Sequence, residues 1–423
     1  MKVGFVSLGC SKNLVDTEMM IGLFLKNKYE IVNDPSMAEI IVVNTCGFIE
    51  SAKEEAINTI FEMAEYKNEN CKYLIVTGCL VERYKEELEK EMPEVDLFIK
   101  FSEYDSIWEQ IDKLIASKTE GKLDYLDRVI STGKNYAYLR IADGCNNFCT
   151  FCAIPYIRGR FKSRKMEDIL EEASILAKKG IKEIIVIAQD TTKYGSDIYN
   201  EPKLAELLNK LSKIEGIEWI RFLYAYPETI TEELIYEVKT NPKICKYFDI
   251  PMQHISDNML KKMNRKSTGK SIRDLIEKLR KEIPGVIIRS TLMVGFPGET
   301  EADFEEMYEF VKWARLDKLG CFMYSKEEGT IAYKMENQVH FMTKKKRYNK
   351  IMKLQQEISK ENMKKNIGKT LKVLVEKEGI GRSYMDVPEI DGVIYLKGAK
   401  NTNTFEECKI TDVTDYDLIG EII

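Results

Sequence analysis

Cys145, Cys149 and Cys152 stand in the run Cys145-Asn146-Asn147-Phe148-Cys149-Thr150-Phe151-Cys152, a C-x3-C-x2-C spacing. Three thiolates so close in sequence can wrap one corner of a 4Fe-4S cube and leave its fourth iron without a protein ligand. A structural zinc asks for four ligands, and neither a fourth Cys nor a His lies nearby in the sequence. The plain alternative is a chance grouping of reduced thiols.

A second set is Cys10, Cys46 and Cys79, each just past the carboxyl end of an apolar run: Phe5-Val6-Ser7-Leu8-Gly9-Cys10, Ile41-Val42-Val43-Asn44-Thr45-Cys46 and Leu74-Ile75-Val76-Thr77-Gly78-Cys79. Parallel strands lie ~4.8 Å apart, so three thiols at one rim of a sheet can converge on a common cluster. Cys71 is the control: it precedes the third run, belongs to the opposite rim and is not expected to be a ligand. Gly9, Gly47 and Gly78 adjoin the three rim cysteines, which suits tight turns or close backbone approach. The alternative for this set is buried structural cysteine.

The elements that must hold these residues follow from hydrophobic pattern. Residues 1–116 alternate near-continuous apolar strands with amphipathic helices, the pattern of a parallel sheet covered on both faces. Residues 117–134, with Ser117-Lys118-Thr119-Glu120-Gly121 and Ser131-Thr132-Gly133-Lys134, read as a linker. Residues 135–342 repeat strand and helix six times, which predicts an incomplete parallel (β/α)6 barrel with its active face at the carboxyl ends of the strands. A basic helix spans 343–365, and 366–423 turn to short alternating strands, a small all-β barrel. The fold class is therefore α/β with a β appendage.

Length and composition set bounds on function. With 423 residues, 44% hydrophobic and 31% charged, the chain has the balance of an ordinary globular protein of several domains. Its net charge of -5 excludes a chain built to coat nucleic acid uniformly. The charge is uneven, with -10 over 1–130, +9 over 131–365 and -4 over 366–423. A basic middle suits a charged macromolecular substrate or an anionic cofactor, and a solvated face explains it equally. No apolar run approaches the ~18 residues of a membrane span, and Met1 to Cys10 is too short in its apolar part for export. The ten cysteines are then expected in a reducing, cytoplasmic setting, where spaced Cys signifies metal or catalysis.

The C-x3-C-x2-C run, with aromatic Phe151 ahead of its last Cys, resembles that of radical S-adenosyl-L-methionine (SAM) enzymes. The resemblance implies that the amino and carboxylate groups of SAM chelate the open iron, and that one electron from an external reductant cleaves the sulfonium to a 5'-deoxyadenosyl radical. Together with Cys10, Cys46 and Cys79, the whole chain resembles the methylthiotransferase family. That family pairs an N-terminal cluster domain with a radical SAM barrel and a C-terminal TRAM domain. Within it, Gly9-Cys10-Ser11-Lys12-Asn13-Leu14-Val15-Asp16-Thr17-Glu18 is similar to the ribosomal-protein branch, whereas the transfer-RNA branch has Gln-Met-Asn in place of Ser11-Lys12-Asn13. Ala142-Asp143-Gly144-Cys145, Cys152-Ala153-Ile154-Pro155-Tyr156-Ile157-Arg158-Gly159-Arg160, Ala188-Gln189-Asp190-Thr191-Thr192-Lys193-Tyr194-Gly195, Asp249-Ile250-Pro251-Met252-Gln253-His254 and Val294-Gly295-Phe296-Pro297-Gly298-Glu299-Thr300 carry the same resemblance.

The resemblance implies a transferase that adds a methylthio group to the β-carbon of an aspartate in small-subunit ribosomal protein S12 (uS12), free or on the ribosome. It implies two 4Fe-4S clusters, one on Cys145, Cys149 and Cys152 and one on Cys10, Cys46 and Cys79, with SAM used both to methylate a sulfur and to make the radical. An external sulfur donor must replenish the second cluster. Two clusters in one chain keep sulfur close to where the radical forms, an entropic advantage. Phe151 and Gly295, on the family's adenine-side strand, are expected at the cofactor. Asp190 is expected to meet the SAM ammonium, better than Gln189 because it carries charge. Arg289 is expected to meet the carboxylate, and a structural ion pair would use it equally. Arg158, Arg160, Lys162, Arg164 and Lys165 can neutralise SAM or a cluster, or form a solvated face. Tyr224 and Tyr226 are read as pocket walls or core, and His254 as structural. A TRAM domain that grips transfer RNA is basic, so the -4 of residues 366–423, with Asp386, Glu389 and Asp391 in one stretch, favours a basic protein partner over nucleic acid. The rivals are a transfer-RNA adenosine methylthiotransferase and a non-catalytic iron-sulfur sensor or electron carrier.

Overall fold

The computed structural model describes all 423 residues. Two compact units make up the chain. The first comprises residues 1–133 with Asp143–Asn146 and Cys152–Lys162; the second comprises 134–142, 147–151 and 163–423.

In the first unit, strands β1 (Lys2–Ser7), β2 (Glu30–Val32), β3 (Ile40–Thr45), β4 (Tyr73–Gly78) and β5 (Leu97–Ile99) form a parallel sheet in the order β2-β1-β3-β4-β5. Helices α1 (Ser11–Lys26), α2 (Glu50–Glu65), α3 (Cys79–Glu91) and α4 (Ile107–Ile115) cover it. The central strand explains the layering: Ile41 and Val43 pack with Ala56, Ile60 and Leu88 on one face, while Ile40 and Val42 pack with Leu23, Phe24 and Trp108 on the other. Alternate side chains leave opposite faces of a strand, so both faces of β3 must be apolar. Each such fully buried aliphatic side chain contributes about 1.5–3 kcal/mol. The strand ends are in register, with Ser7 beside Asn44 and Thr45 beside Gly78.

Part of the segment expected as a linker is strapped along α1. Arg128 pairs with Glu18 at 3.1 Å, both buried. The backbone N–H of Ser131 donates to the other Glu18 oxygen at 2.7 Å, and that of Val129 to the Glu18 carbonyl at 3.1 Å. A buried carboxylate needs such partners, and polar, Gly-containing composition does not reveal them.

The second unit opens with six parallel strands, Tyr136–Arg140, Glu183–Ile187, Trp219–Phe222, Tyr247–Asp249, Ile287–Val294 and Lys318–Met323. The third and fourth are joined by the bonds Cys245 N–H to Ile220 O at 2.9 Å and Ala225 N–H to Asp249 O at 2.8 Å. The first and sixth strands end the two sheets of this incomplete barrel. Amphipathic helices such as Met166–Lys178 and Glu301–Ala314 separate the strands, and the helix Phe341–Lys364 leads out. Five strands, Thr370–Lys377, Ile380–Arg382, Ile394–Lys397, Leu418–Ile422 and Thr404–Val413, close a small barrel in that order.

Buried ion pairs lock this small barrel to the larger one. Arg382 bridges Glu183 and Glu376, each at 2.7 Å, and Arg221 joins Glu183 at 2.8 Å. Burial pushes the Glu183 carboxyl up, but the two guanidinium groups outweigh it and hold it below the usual range. Asp386, expected on an exposed acidic face, is buried and pairs with Lys318 at 2.8 Å. Asp391 accepts the Tyr247 phenol at 2.6 Å and lies 3.8 Å from Arg289. Only Glu389 of the three acidic residues is exposed. Asp386 and Asp391 therefore fasten the small barrel to the larger one, while the remaining acidic residues of 366–423 are not buried.

Candidate functional site

The rim of the first unit brings Cys10, Cys46 and Cys79 to the carboxyl ends of β1, β3 and β4. Cys10 is the N-cap of α1, and Cys79 is the first residue of α3. Helix N-termini present unpaired N–H groups and positive potential, which complements a negatively charged group bound at this rim. Gly9 has φ +88°, and a Cβ there would lie 3.0 Å from the Cys46 sulfur. Gly78 has φ +101°, and a Cβ there would lie 2.4 Å from both Asn44 Oδ1 and the Thr45 carbonyl. Glycine is thus required where the strand ends crowd together. Cys71 lies at the amino end of β4, buried in the apolar core with its thiol 3.4 Å from the Tyr73 carbonyl.

Asn13 ties this rim together and was not anticipated from the sequence. Its Nδ2 donates to the Leu8 carbonyl at 3.1 Å and the Thr45 carbonyl at 2.9 Å, which joins the ends of β1 and β3. Its Oδ1 accepts from the Cys79 thiol at 3.5 Å and from the Arg158 guanidinium. Arg158 follows the short helix α5 (Ile154–Ile157), is buried, and pairs with Asp16 at 2.8 Å and Asp143 at 3.4 Å. Burial pushes the Cys46 thiol up and the Cys79 thiol to about 12, while Arg158 pulls both the other way. Metal coordination replaces those protons.

The donor set fits an iron-sulfur cluster. Three thiols stand at one rim, a glycine cradle faces one of them, and a buried cation offsets negative charge. No three His, Cys, Asp or Glu side chains gather tightly enough to hold a single metal ion. A cube spreads its thiolates over separate irons and asks for wider spacing.

In the C-x3-C-x2-C loop, Cys145 and Cys152 belong to the first unit and Cys149 to the second. The Cys145 N–H donates to the Gly159 carbonyl at 3.1 Å, and the Phe161 N–H to Asn146 Oδ1 at 3.2 Å. In the second unit, Phe148 takes a left-handed conformation, φ +48°, held by Asn264, whose Nδ2 donates to the Asn147 and Phe148 carbonyls at 3.1 and 3.0 Å. A non-glycine residue in that region is strained and persists only when its surroundings impose it. The Cys149 sulfur lies 3.5 Å from the Tyr226 hydroxyl and 3.9 Å from Arg265, whose guanidinium stacks on the Tyr226 ring at 4.2 Å. Arg265 was also missed from the sequence, because it follows a helix that carries no motif.

Asp190 is buried and accepts from Asn147 Nδ2 at 2.8 Å and the Thr192 hydroxyl at 2.9 Å, with Lys193 at 3.7 Å. Burial holds its carboxyl above the usual range, opposed by the Asn147 bond. Its hydrogen bond to Asn147 joins it to the middle of the cysteine loop. Phe151 meets Phe296 edge to face at 6.4 Å. Gly295, φ +73°, packs against Lys344, and its N–H donates to Glu299 at 2.6 Å. Arg289 pairs with Asp249 at 2.7 Å, the structural ion pair that was its other reading. His254 is structural: Nδ1 accepts from the Ser256 N–H at 3.0 Å, so Nε2 carries the proton and donates to Glu299 at 3.2 Å.

Comparison with known proteins places this geometry in a family. Three family models match: the Radical SAM superfamily at residues 139–311, the Uncharacterized protein family UPF0004 at 2–100 and the TRAM domain at 367–423. The chain is 62% identical over 435 residues to the ribosomal protein uS12 methylthiotransferase RimO of Alkaliphilus oremlandii, covering 100% of this chain and 99% of that protein. It is 51% identical over 445 residues to the protein of the same name from Acetivibrio thermocellus, covering 100% and 98%. The fold is also similar to a radical SAM methyltransferase, TsrM, from Kitasatospora setae, solved with cobalamin and a 4Fe-4S cluster, with a TM-score of 0.57, 12% identity, and coverage of 76% and 74%. With end-to-end relatives at this identity and all three domain models in order, the chain belongs to the RimO branch of the radical SAM methylthiotransferase family.

Proposed function

We propose that this transferase adds a methylthio group to the β-carbon of an aspartate of uS12, using SAM and two 4Fe-4S clusters. The observation that carries the two-cluster reading is the rim itself: Cys10, Cys46 and Cys79 end three adjacent parallel strands, with glycine where a side chain would collide. The end-to-end relatives named for uS12 supply the substrate. When bound, the clusters and SAM supply a radical that takes hydrogen from the target carbon and a methylated sulfur that replaces it.

The chain's own residues then bind, orient and balance charge. Cys145, Cys149 and Cys152 hold the SAM cluster, and Arg265 offsets thiolate charge at Cys149. Asp190, preset by Asn147 and Thr192, receives the SAM ammonium. Phe151 and Gly295 shape the cofactor side. Arg289 is left out of this set, because its partner is Asp249. Cys10, Cys46 and Cys79 hold the sulfur-donating cluster. None of the ten cysteines is in a disulfide, which suits a reducing cytoplasm, and no helix is long and apolar enough to cross a membrane. An external reductant and sulfur donor complete the cycle. In this reading residues 1–116, 135–342 and 366–423 divide cluster binding, radical chemistry and substrate docking.

Mass spectrometry of uS12 and of bulk transfer RNA from cells with and without this protein tests the reading. The methylthio mass should appear on a uS12 aspartate only when the protein is present, and be lost with Cys46→Ala. An unmodified uS12 together with a methylthio adenosine dependent on this protein would transfer the assignment to the transfer-RNA reading.

A further inference from the structure

Arg158 occupies a position that the cysteine chemistry alone does not require. It lies six residues beyond Cys152, yet its side chain is 2% exposed and enclosed by groups of the first unit. Asp16 at 2.8 Å and Asp143 at 3.4 Å face its guanidinium, Asn13 Oδ1 accepts from it, and the Phe101 ring stacks on it at 4.1 Å. Cys79 packs against Ala153 and Ile157 of the same segment. Asn13 is the shared element: one carboxamide accepts from Arg158 while it donates to the ends of β1 and β3.

Burying a guanidinium costs several kcal/mol unless it is paired, and a structural pair needs no fixed alignment to a metal rim. Here the carboxylate, the carboxamide and the aromatic face aim a rigid, permanently charged fork at that rim. A fixed positive charge beside a redox centre favours the reduced, more negative form. We propose that Arg158, oriented by Asp16 and Asn13, is a positioning residue that raises the reduction potential of the cluster on Cys10, Cys46 and Cys79 and registers the segment after Cys152 against that rim. This rests on the two-cluster reading above.

The test uses full-length protein carrying Cys145→Ala, Cys149→Ala and Cys152→Ala, reconstituted anaerobically so that only the rim cluster contributes. Iron is counted and the midpoint potential read by titration followed by electron paramagnetic resonance. Arg158→Gln should keep its iron and lower the midpoint by at least about 59 mV, a tenfold change in a one-electron equilibrium. Arg158→Lys, which keeps the charge, should change that equilibrium less than about threefold. An unchanged midpoint in Arg158→Gln with full iron overturns the proposal.

If Arg158→Gln binds no iron, the double variant Asp16→Asn with Arg158→Gln removes the buried carboxylate as well. Iron restored with a midpoint still below wild type supports the proposal. A wild-type midpoint, or no iron in the double variant either, shows a merely structural role and overturns it. Absence of iron when Arg158 is intact sinks the two-cluster reading and this proposal with it, a result distinguishable from every Arg158 outcome.

Discussion

Two charged residues that look equivalent in the sequence have different partners in the fold. Asp190 and Arg289 were both expected at the methionine part of SAM, one for each charge. Asp190 is bonded to Asn147 inside the cysteine loop, where a ligand ammonium would find a desolvated carboxylate. Arg289 is committed to Asp249, which is itself buried. Their alanine variants should therefore separate. Asp190→Ala should weaken SAM binding by on the order of 1.5–3 kcal/mol with iron content near wild type, and its lost bonds to Asn147 and Thr192 should cost about 1–3 kcal/mol of stability. Arg289→Ala leaves the buried Asp249 carboxylate with the Tyr224 N–H but without its cation, and should destabilise the protein by about 3–5 kcal/mol, with little effect on SAM affinity in the folded fraction. Calorimetric SAM titration and denaturant unfolding of both variants check this; a tight-binding Asp190→Ala would remove Asp190 from the site.

At the scale of elements, the three strand ends depend on glycine conformation as much as on the cysteines they carry. Gly78→Ala would place a methyl 2.4 Å from two oxygens at a φ of +101°, so β4 and α3 must shift to relieve it. Left-handed strain alone costs about 1–3 kcal/mol. The collision adds to it and displaces Cys79. On the proposed two-cluster reading, iron should fall from about eight to about four per chain as the rim cluster is lost, while the cluster proposed on the C-x3-C-x2-C loop stays. Gly180→Ala is the matched control, because Gly180 has φ +91° with nothing within 4 Å of an added Cβ. It pays the strain and keeps both clusters. Equal iron in the two variants would show that the close approach at β4 is dispensable.

At the scale of the whole molecule, two acidic residues of the C-terminal barrel attach it to the larger barrel. Asp386 and Asp391 face Lys318, Arg289 and Tyr247, so their reversal to Lys attacks the attachment of the small barrel. Asp386→Lys puts two ammonium groups together in a buried site, at a cost of about 3–5 kcal/mol or more. We expect early unfolding and protease-sensitive release of residues 366–423. Glu389→Lys, at an exposed residue whose carboxylate meets the Tyr136 phenol, should cost less than Asp386→Lys, about 1–3 kcal/mol. Limited proteolysis and thermal unfolding separate these outcomes, and a fully stable Asp386→Lys would restore the docking face.

What the sequence determined by itself was whatever local period and spacing encode. The apolar runs ending at Leu8, Thr45 and Thr77 carry the strand pattern, and the cysteines just past them are thereby placed at one end of a parallel sheet. The C-x3-C-x2-C spacing is local and complete in itself, and six strand-helix units are enough to specify an incomplete barrel. Two of the five strands of the small barrel were less legible: Ile380–Arg382 and Leu418–Ile422 are interrupted by Gly381 and Gly420, so a period of two does not register. Only the tertiary structure decided the partners of charges. Asn13 and Arg158 are separated by 145 residues, and Arg382 and Glu183 by 199, yet each pair is joined by a buried hydrogen bond. Burial is set by packing of distant elements, and the strength of a charge-charge contact follows burial, so no reading along the chain can say which carboxylate is solvated and which is locked to a cation.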